Sequence, residues 1–124
     1  MLSESAREDP RQALFQLAHE VIHLLAPTGT KGLAPVLEEG LATFFSFVVS
    51  QRYDLGVFPI DPRYLGANSL ARRLLDPHPD AIRRLREKQP TFHLFTAELI
   101  RSMFSGLDEY VAAELCKPFK SFTA

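Results

Sequence analysis

Two apolar segments with helical periodicity, joined by a short break, constrain the fold of this chain more than any other feature. The first contains LAHEVIHLL at 17–25, and the second is LAPVLEEGLATFFSFVVS at 33–50. The residues between them are rich in glycine, proline and threonine, which interrupt helices. A short loop folds the second helix back antiparallel to the first, so its early turns are expected to lie beside the late turns of the first helix.

Three ionisable side chains interrupt the first apolar segment. His19 and His23 are four residues apart, so they lie on one face of a helix about one turn from each other. Glu20 lies roughly 100° around the axis, close enough to reach a water held by the two imidazoles. This H-E-x-x-H pattern is typical of zinc sites in which two neutral imidazoles bind the metal and the glutamate is the general base. The alternative is a coincidental spacing, with both rings paired to backbone or carboxylate groups.

A zinc site needs a third protein ligand, and a catalytic one also keeps a fourth position open for water. Glu38 and Glu39, in the first turns of the second helix, are the candidates. Their ordinary explanation is that carboxylates complement the positive end of the helix dipole and face water. The expected antiparallel pairing favours a ligand instead, because it brings these turns beside the histidines.

Together the two motifs resemble the gluzincin metallopeptidases, especially those of the aminopeptidase N and peptidase MA-like type. The matching stretches are HEVIH at 19–23 and EEGLATFF at 38–45, and the resemblance covers roughly residues 14–50. In these enzymes the downstream helix carries a phrase of the form L-x-E-G-x-A, whose glutamate is the third zinc ligand. The resemblance therefore implies Glu39 as that ligand and leaves Glu38 at a variable position.

A complete active site follows from the resemblance as an expectation. One Zn²⁺ would be held by His19, His23 and Glu39, and Glu20 would be the catalytic base in hydrolysis of a peptide or similar amide. Thr43, one turn after Glu39, is a candidate to approach the ligands, although a packing role explains it equally well. The expected partner is a peptide or protein substrate.

The chain departs from the gluzincin pattern in two respects. The family usually places a β-sheet before the metal-binding helix, but too few residues precede it here, so the substrate-binding strand is absent or the chain is a separated part of a larger ancestor. The second departure concerns the Tyr or His that stabilises the oxyanion. Spacing does not choose among Tyr53, Tyr64, His78 and His93. Tyr64 ranks first, because its loop is expected to lie across the cleft.

The remaining pattern predicts a mainly α fold: a compact, zincin-like helical domain of about five to six helices with little or no β-sheet. One domain spans 1–124, with an active-site helix pair at about 9–53 and a helical C-terminal part at about 64–118. The first helix is expected from about Asp9 to Ala26 and the second from about Pro35 to Tyr53. The predicted buried stripe of the first helix is Leu14, Leu17, Ala18, Val21, Ile22 and Leu25.

The C-terminal part is predicted as short helices separated by turns. The segment 54–69 carries several prolines and glycines and is not expected to form a long regular element. Two short helices should follow, split at Pro77–Pro79, with Asp80 as N-cap of the second. A further pair is expected near the end, where Gly106 closes one helix and Asp108 lies in the first turn of the other.

Charge and composition narrow the expected partners. The formal net charge of −1 and the 46% hydrophobic content provide no general attraction to nucleic acid or anionic membrane. Six cations between 72 and 88 are interspersed with acidic residues, which favours solvated faces with local ion pairs over phosphate contacts. Without a secretory signal or a run of eighteen apolar residues, the expected location is the cytoplasm.

Two rival functions stay open at this stage. In one, the zinc is structural and the chain is a non-catalytic binding or protein-interaction domain, paired with another protein or with itself. Such a closed site would take His78 or His93 as a fourth ligand. In the other, the helices pack around a polar pair without any metal.

Overall fold

The computed structural model describes residues 9–25 and 34–123. Within these ranges the chain forms six α-helices and two short 3-10 turns, without a β-sheet; an isolated bridge joins Pro35 to Pro118. The mainly α fold of five to six helices is therefore confirmed. The helices are α1 Pro10–Leu25, α2 Val36–Tyr53, α3 Pro62–Leu75, α4 Ala81–Lys88, α5 Ala97–Met103 and α6 Glu109–Cys116.

Helix α2 lies at the centre and packs against α1 on one side and α3 on the other. The Phe15 ring of α1 lies 6.0 Å from the Phe47 ring of α2, whereas His23 contacts Glu39 at the opposite end of the pair. The two helices therefore run antiparallel, as their short connection predicted. Their bounds lie within one residue of those predicted from the sequence.

The principal core forms between α2 and the helices that follow it. Its fully buried side chains come from five helices and a 3-10 turn, and no residue of α1 belongs to it; they include Val36, Leu37, Leu74, Leu85, Phe92, Ile100, Val111 and Leu115. Helix α1 instead adds a smaller contact, through Phe15, Ala18 and Ile22. The metal-ligand candidates therefore lie at the edge of the fold, where α1 meets α2.

The predicted buried stripe of α1 is wrong for four of its six residues. Ala18 and Ile22 are buried, but Leu14, Leu17, Val21 and Leu25 are 42–49% exposed, and Leu24 is 74% exposed. The apolar arc of α1 is wider than the surface that α2 offers to it. Periodicity identifies an apolar face, but it does not tell which half of a wide face a neighbouring helix covers.

The prediction that 54–69 contains no long regular element is also wrong over its second half. Helix α3 begins at Pro62, and the Asp61 carboxylate caps it by accepting the Arg63 backbone N–H at 2.8 Å. A proline at the first helical position starts a helix, because its missing N–H has no partner there in any case. Only the stretch before it is irregular, with positive φ values of 50° at Asp54 and 98° at Gly56.

The ends of the shorter helices follow local capping chemistry. The break at Pro77–Pro79 is confirmed, and Asp80 precedes α4, although its side chain forms no cap hydrogen bond. The Thr96 side chain caps α5 by accepting the Leu99 N–H at 3.0 Å. Asp108 is the N-cap of α6 rather than a first-turn residue, since its carboxylate accepts two backbone N–H groups.

The basic cluster on α3 and α4 forms local ion pairs, in agreement with the interspersed acids. Arg72 pairs with Asp76, and Arg83 pairs with both Asp80 and Glu87. All five side chains are more than 45% exposed. Among the described helices, none combines the length and the apolar character needed to cross a membrane.

Candidate metal centre

The first turns of α2, which carry both glutamates, are fastened to the C-terminal segment of the chain. The Val36 N–H donates to the Lys117 carbonyl at 2.8 Å, and the Phe119 N–H donates to the Ala34 carbonyl at 2.9 Å. These bonds use backbone groups beside the start of a helix, where donors would otherwise have no intrahelical partner. The orientation of the Glu38–Glu39 turn is thus set by residues far away in sequence.

Gly40 allows α2 to approach α3 closely at the same point. A Cβ added there would clash with the carbonyl oxygen of Ala67 and lie 2.9 Å from the Cβ of Ala71. The glycine of the L-x-E-G-x-A phrase therefore has a packing reason in this chain. It lets the helix that carries Glu39 rest directly on the backbone of α3.

Helix α1 is held at its C-terminal end by a cation from α4. The Nη2 atom of Arg86 donates to the carbonyl oxygen of Leu25 at 2.8 Å. The carbonyls of a last helical turn lack intrahelical partners and carry partial negative charge, so a guanidinium is a favourable cap. This contact connects the helix that bears both histidines to the main body of the fold.

Three ligand-type atoms from α1 and α2 converge at the edge between the helices. The Glu39 Oε1 atom lies 3.1 Å from Nε2 of His19 and 2.8 Å from Nε2 of His23. One ligand-type atom from each of the three residues lies within 4.8 Å of those from the other two, and among the described residues this is the one group of three or more metal-type ligands so placed. The predicted pairing of Glu39 with the two histidines is present in the structure.

The donor set fits a zinc ion. Two imidazole nitrogens and one carboxylate oxygen are the protein ligands of a common class of catalytic zinc site. Bonds of about 2.1 Å in tetrahedral geometry separate neighbouring ligand atoms by roughly 3.4 Å, so the two distances from Glu39, 2.8 and 3.1 Å, need only a small widening. The chemistry of the three residues and the two distances from Glu39 therefore fit this metal.

Glu38 enters the site in a different way from its neighbour. Its Oε2 atom lies 2.5 Å from Nδ1 of His23, on the opposite side of the imidazole from Glu39. The side chain is almost completely buried, and its Oε1 atom has no hydrogen-bond partner among the described residues. Glu38 thus pairs with a candidate ligand, rather than being a member of the converging group.

The contacts between the histidines and the two glutamates change the pKa values of His23 and Glu39. Hydrogen bonds to Glu38 and then to Glu39 raise the pKa of His23 from 6.5 to about 10. Burial alone would raise the pKa of Glu39, but the hydrogen bonds from His19 and His23 outweigh it and lower that pKa to about 2. At neutral pH without a metal, His23 is therefore an imidazolium between two carboxylates.

A cavity of about 440 Å³ opens beside His19 and contains the predicted base. Glu20 lines it together with Tyr64, and its carboxylate forms no hydrogen bond or ion pair with a described residue. Glu20 is therefore accessible from the same space that a molecule would occupy next to the converging ligand atoms. Its position agrees with a group that exchanges protons with a bound reactant.

Tyr64 lies in this cavity because α3 begins where it does. Its ring meets the His19 ring edge-on, with centroids 5.4 Å apart, and packs against Phe119 at 4.7 Å. Burial, and next the negative charge of Glu39, raise the pKa of the phenol above its usual value of 10.0. The hydroxyl therefore keeps its proton at neutral pH and remains a hydrogen-bond donor.

Thr43 and Ser46 form another part of the cavity wall, on α2. The Thr43 hydroxyl donates to the Glu39 carbonyl at 2.9 Å, and the Ser46 hydroxyl donates to the Ala42 carbonyl at 3.0 Å. Thr43 thus contacts the backbone of Glu39 rather than its carboxylate. Both hydroxyl protons are used within α2, so toward the cavity these groups act as acceptors.

The other residues considered for the site lie elsewhere. Tyr53 is 62% exposed at the end of α2, and the His78 ring packs against Phe104. The Nδ1 atom of His93 is buried without a described partner. Neither His78 nor His93 belongs to the converging group of ligand atoms, so the described residues provide no fourth ligand from them.

Several wall residues were not predicted from the sequence. Phe15 and Gln16 precede His19 and Glu20 by one helical turn, and this i, i+4 spacing is a signal that could have identified them. Pro59, Ile60 and Asp61 complete the opposite wall. Their contribution depends on the path of the loop between α2 and α3, for which the sequence carries no comparable signal.

Comparison of the chain with protein-family models, curated proteins and solved structures gave no match. A functional assignment therefore depends on the residues of the site and on their geometry.

Proposed function

We propose that this protein is a zinc-dependent hydrolase of peptide or similar amide bonds. The observation that carries the proposal is the convergence of His19, His23 and Glu39 beside a cavity that Glu20 lines. The similarity of both motifs to those of gluzincin metallopeptidases supports the same reaction. When bound, zinc supplies Lewis-acid polarisation of a carbonyl and activation of water.

Each residue has a role that follows from its position. His19, His23 and Glu39 would hold the metal, and His19 also lines the cavity. Glu20 takes a proton from the attacking water and later returns it to the leaving amine, which requires a carboxylate free of protein partners. The phenol of Tyr64 donates a hydrogen bond to the oxyanion that develops on the substrate carbonyl.

A second function, a non-catalytic zinc protein that binds another chain, is favoured by one observation. Five apolar side chains of α1 are at least 42% exposed and form one continuous face: Leu14, Leu17, Val21, Leu24 and Leu25. Apolar patches of this kind often mark interaction surfaces. Zinc binding without hydrolysis of any peptide would favour this function over the first.

The test begins with metal content, measured by mass spectrometry on tag-free protein. Wild type is compared with His23→Ala and Glu39→Ala, and Glu98→Gln on α5 controls for loss of a carboxylate elsewhere. We expect about one zinc per chain in wild type and in Glu98→Gln, and little in the other two variants.

A peptide-library screen then tests hydrolysis, with Glu20→Gln as the inactive control. Cleavage by wild type but not by this variant would support the proposed enzyme. If the protein takes up no zinc even after zinc is added back, the metal-free interpretation holds, and the contacts between the two histidines and the two glutamates serve helix packing alone.

A further inference from the structure

The Glu38 carboxylate is a costly group in its position. Only 2% of the residue is exposed, and one of its two oxygens has no described hydrogen-bond partner. Burial of an incompletely paired carboxylate is unfavourable, and an apolar residue of similar volume often stabilises such a position equally well. Packing of α2 therefore gives no reason for a carboxylate here.

The contact that Glu38 does make is specific to one atom of one ligand. Its Oε2 atom lies 2.5 Å from Nδ1 of His23, while Glu39 Oε1 lies 2.8 Å from Nε2 of the same ring. Successive helical residues point roughly 100° apart, so Glu38 and Glu39 reach the two different nitrogens of one imidazole. The ring is thereby fixed from both sides.

An imidazole that binds a metal must present a lone pair, and its other nitrogen then carries the proton. The hydrogen bond that this other nitrogen makes determines which nitrogen is free for the metal. A carboxylate at Nδ1 keeps the proton at Nδ1 and leaves the Nε2 lone pair, which is the atom that faces Glu39 and His19.

We infer that Glu38 is a positioning residue of the metal site: its hydrogen bond at Nδ1 holds the His23 ring and its tautomer so that Nε2 binds the ion. This inference rests on the proposed zinc site. It distinguishes two properties of Glu38, its negative charge and its contact with Nδ1. The contact is the property that positions the ring.

Two conservative variants separate these properties. Glu38→Gln removes the charge but keeps the chain length, so its amide oxygen still accepts the Nδ1 proton. Glu38→Asp keeps the charge but withdraws both oxygens by one methylene group. Ser50→Ala, at another buried polar position on α2 that does not line the cavity, is the matched control.

The measured quantity is the Kd for zinc, obtained by competition with a chromophoric chelator. For Glu38→Asp we expect a Kd raised about 10–100-fold, as is usual when an outer-shell partner of a metal ligand is lost. For Glu38→Gln and Ser50→Ala we expect values within about threefold of wild type, a difference smaller than the effect expected for loss of the contact. Circular dichroism of the metal-free proteins shows whether each variant is folded.

Co²⁺ substitution adds a readout that a general packing defect would not change. The visible spectrum of bound Co²⁺ reports the ligand geometry, so wild type and Glu38→Gln should share one spectrum and Glu38→Asp should differ. If Glu38→Asp binds zinc as tightly as wild type, or if Glu38→Gln is the weakened variant, the inference is wrong, although the metal site stands. If wild type itself binds neither ion, the proposed function fails, and the positioning role fails with it.

Discussion

The Nε2 atom of His23 lies 2.8 Å from Oε1 of Glu39, although the two residues come from different helices. The same oxygen lies 3.1 Å from Nε2 of His19. A single carboxylate oxygen of one helix thus contacts both histidines of the other. Protons and a metal ion compete for this point, because each ring nitrogen either donates a proton to Glu39 or binds a cation through its lone pair.

Zinc binding is therefore expected to release protons. His23, with its pKa raised to about 10, carries both ring protons at neutral pH in the metal-free protein and must lose the one at Nε2. Titration calorimetry in buffers of different ionisation enthalpy should show release of about one proton per zinc, and affinity that increases with pH. An affinity that does not change across neutral pH would contradict the protonated state of His23.

The same pKa shifts predict how the stability of the metal-free protein depends on pH. The pKa of His23 is raised to about 10, so its contribution is complete below the ordinary value of 6.5 and is lost as pH rises through 10. The pKa of Glu39 is lowered to about 2, so its contribution is complete above 4.5 and is lost as pH falls through 2. Both contributions are complete only between pH 4.5 and 6.5.

Thermal unfolding of wild type and His23→Gln, with chelator present, checks this dependence. The difference in Tm between the two proteins should be largest between pH 4.5 and 6.5 and should decrease on the alkaline side. A difference that increases toward alkaline pH would mean that His23 is neutral in the folded protein.

Replacement of Glu20 tests the assignment of the general base. Glu20→Gln leaves the three metal ligands unchanged, so zinc content should equal that of wild type. Hydrolysis should fall about 10²–10⁴-fold, which is the usual contribution of a positioned base. Metal content and kcat are measured on the same samples. Retained activity would assign proton transfer to another group, whereas loss of zinc would show that Glu20 supports the ligands instead.

Replacement of Tyr64 tests the oxyanion donor. Tyr64→Phe keeps the ring that meets His19 and Phe119 and removes only the hydroxyl. If the hydroxyl stabilises the oxyanion, kcat should fall about 10²–10³-fold with little change in KM. Tyr110→Phe, at a residue that is 67% exposed on α6, is the matched control. Equal kcat values for the two variants would leave Tyr64 as a wall of the cavity only.

The sequence was sufficient to predict the helix pair and its polar residues because both follow from local rules. Four-residue spacing places His19 and His23 on one face, and a short break makes the helices antiparallel, so local rules predict that the histidines lie near the Glu38–Glu39 turn. The choice of Glu39 over Glu38 came from the resemblance to the gluzincin motif. The N-cap position of Asp80 likewise depends on nearby residues.

Features that depend on the rest of the fold were not predictable in this way. The exposure of Leu17 and Val21 is decided by which neighbour covers α1, and α2 covers only one side of it. The contact of Glu38 with Nδ1 of His23 depends on the rotation of α2, which the C-terminal segment fixes through Val36 and Lys117. These contacts join residues that are distant in sequence, so the periodicity of the sequence does not predict them.

Gly40 provides a test of whether close contact between α2 and α3 supports the site. In an exposed helix, a change from glycine to alanine stabilises by up to about 1 kcal/mol. At Gly40 the added methyl group would meet the carbonyl oxygen of Ala67, a backbone atom that cannot move without α3. The substitution should therefore destabilise the protein instead of stabilising it. We expect Gly40→Ala to lower the free energy of unfolding by about 1–3 kcal/mol.

Gly106→Ala is the matched control, because a Cβ at that position meets no atom within 4 Å. Its expected effect is neutral or stabilising by less than about 1 kcal/mol. Denaturant unfolding of both variants with chelator present gives the comparison, and zinc affinity is measured alongside it. Since α2 carries Glu39 next to Gly40, a shift of α2 away from α3 should also weaken zinc binding in Gly40→Ala. Destabilisation with unchanged zinc affinity would show that the helix pair holds its ligands independently of α3.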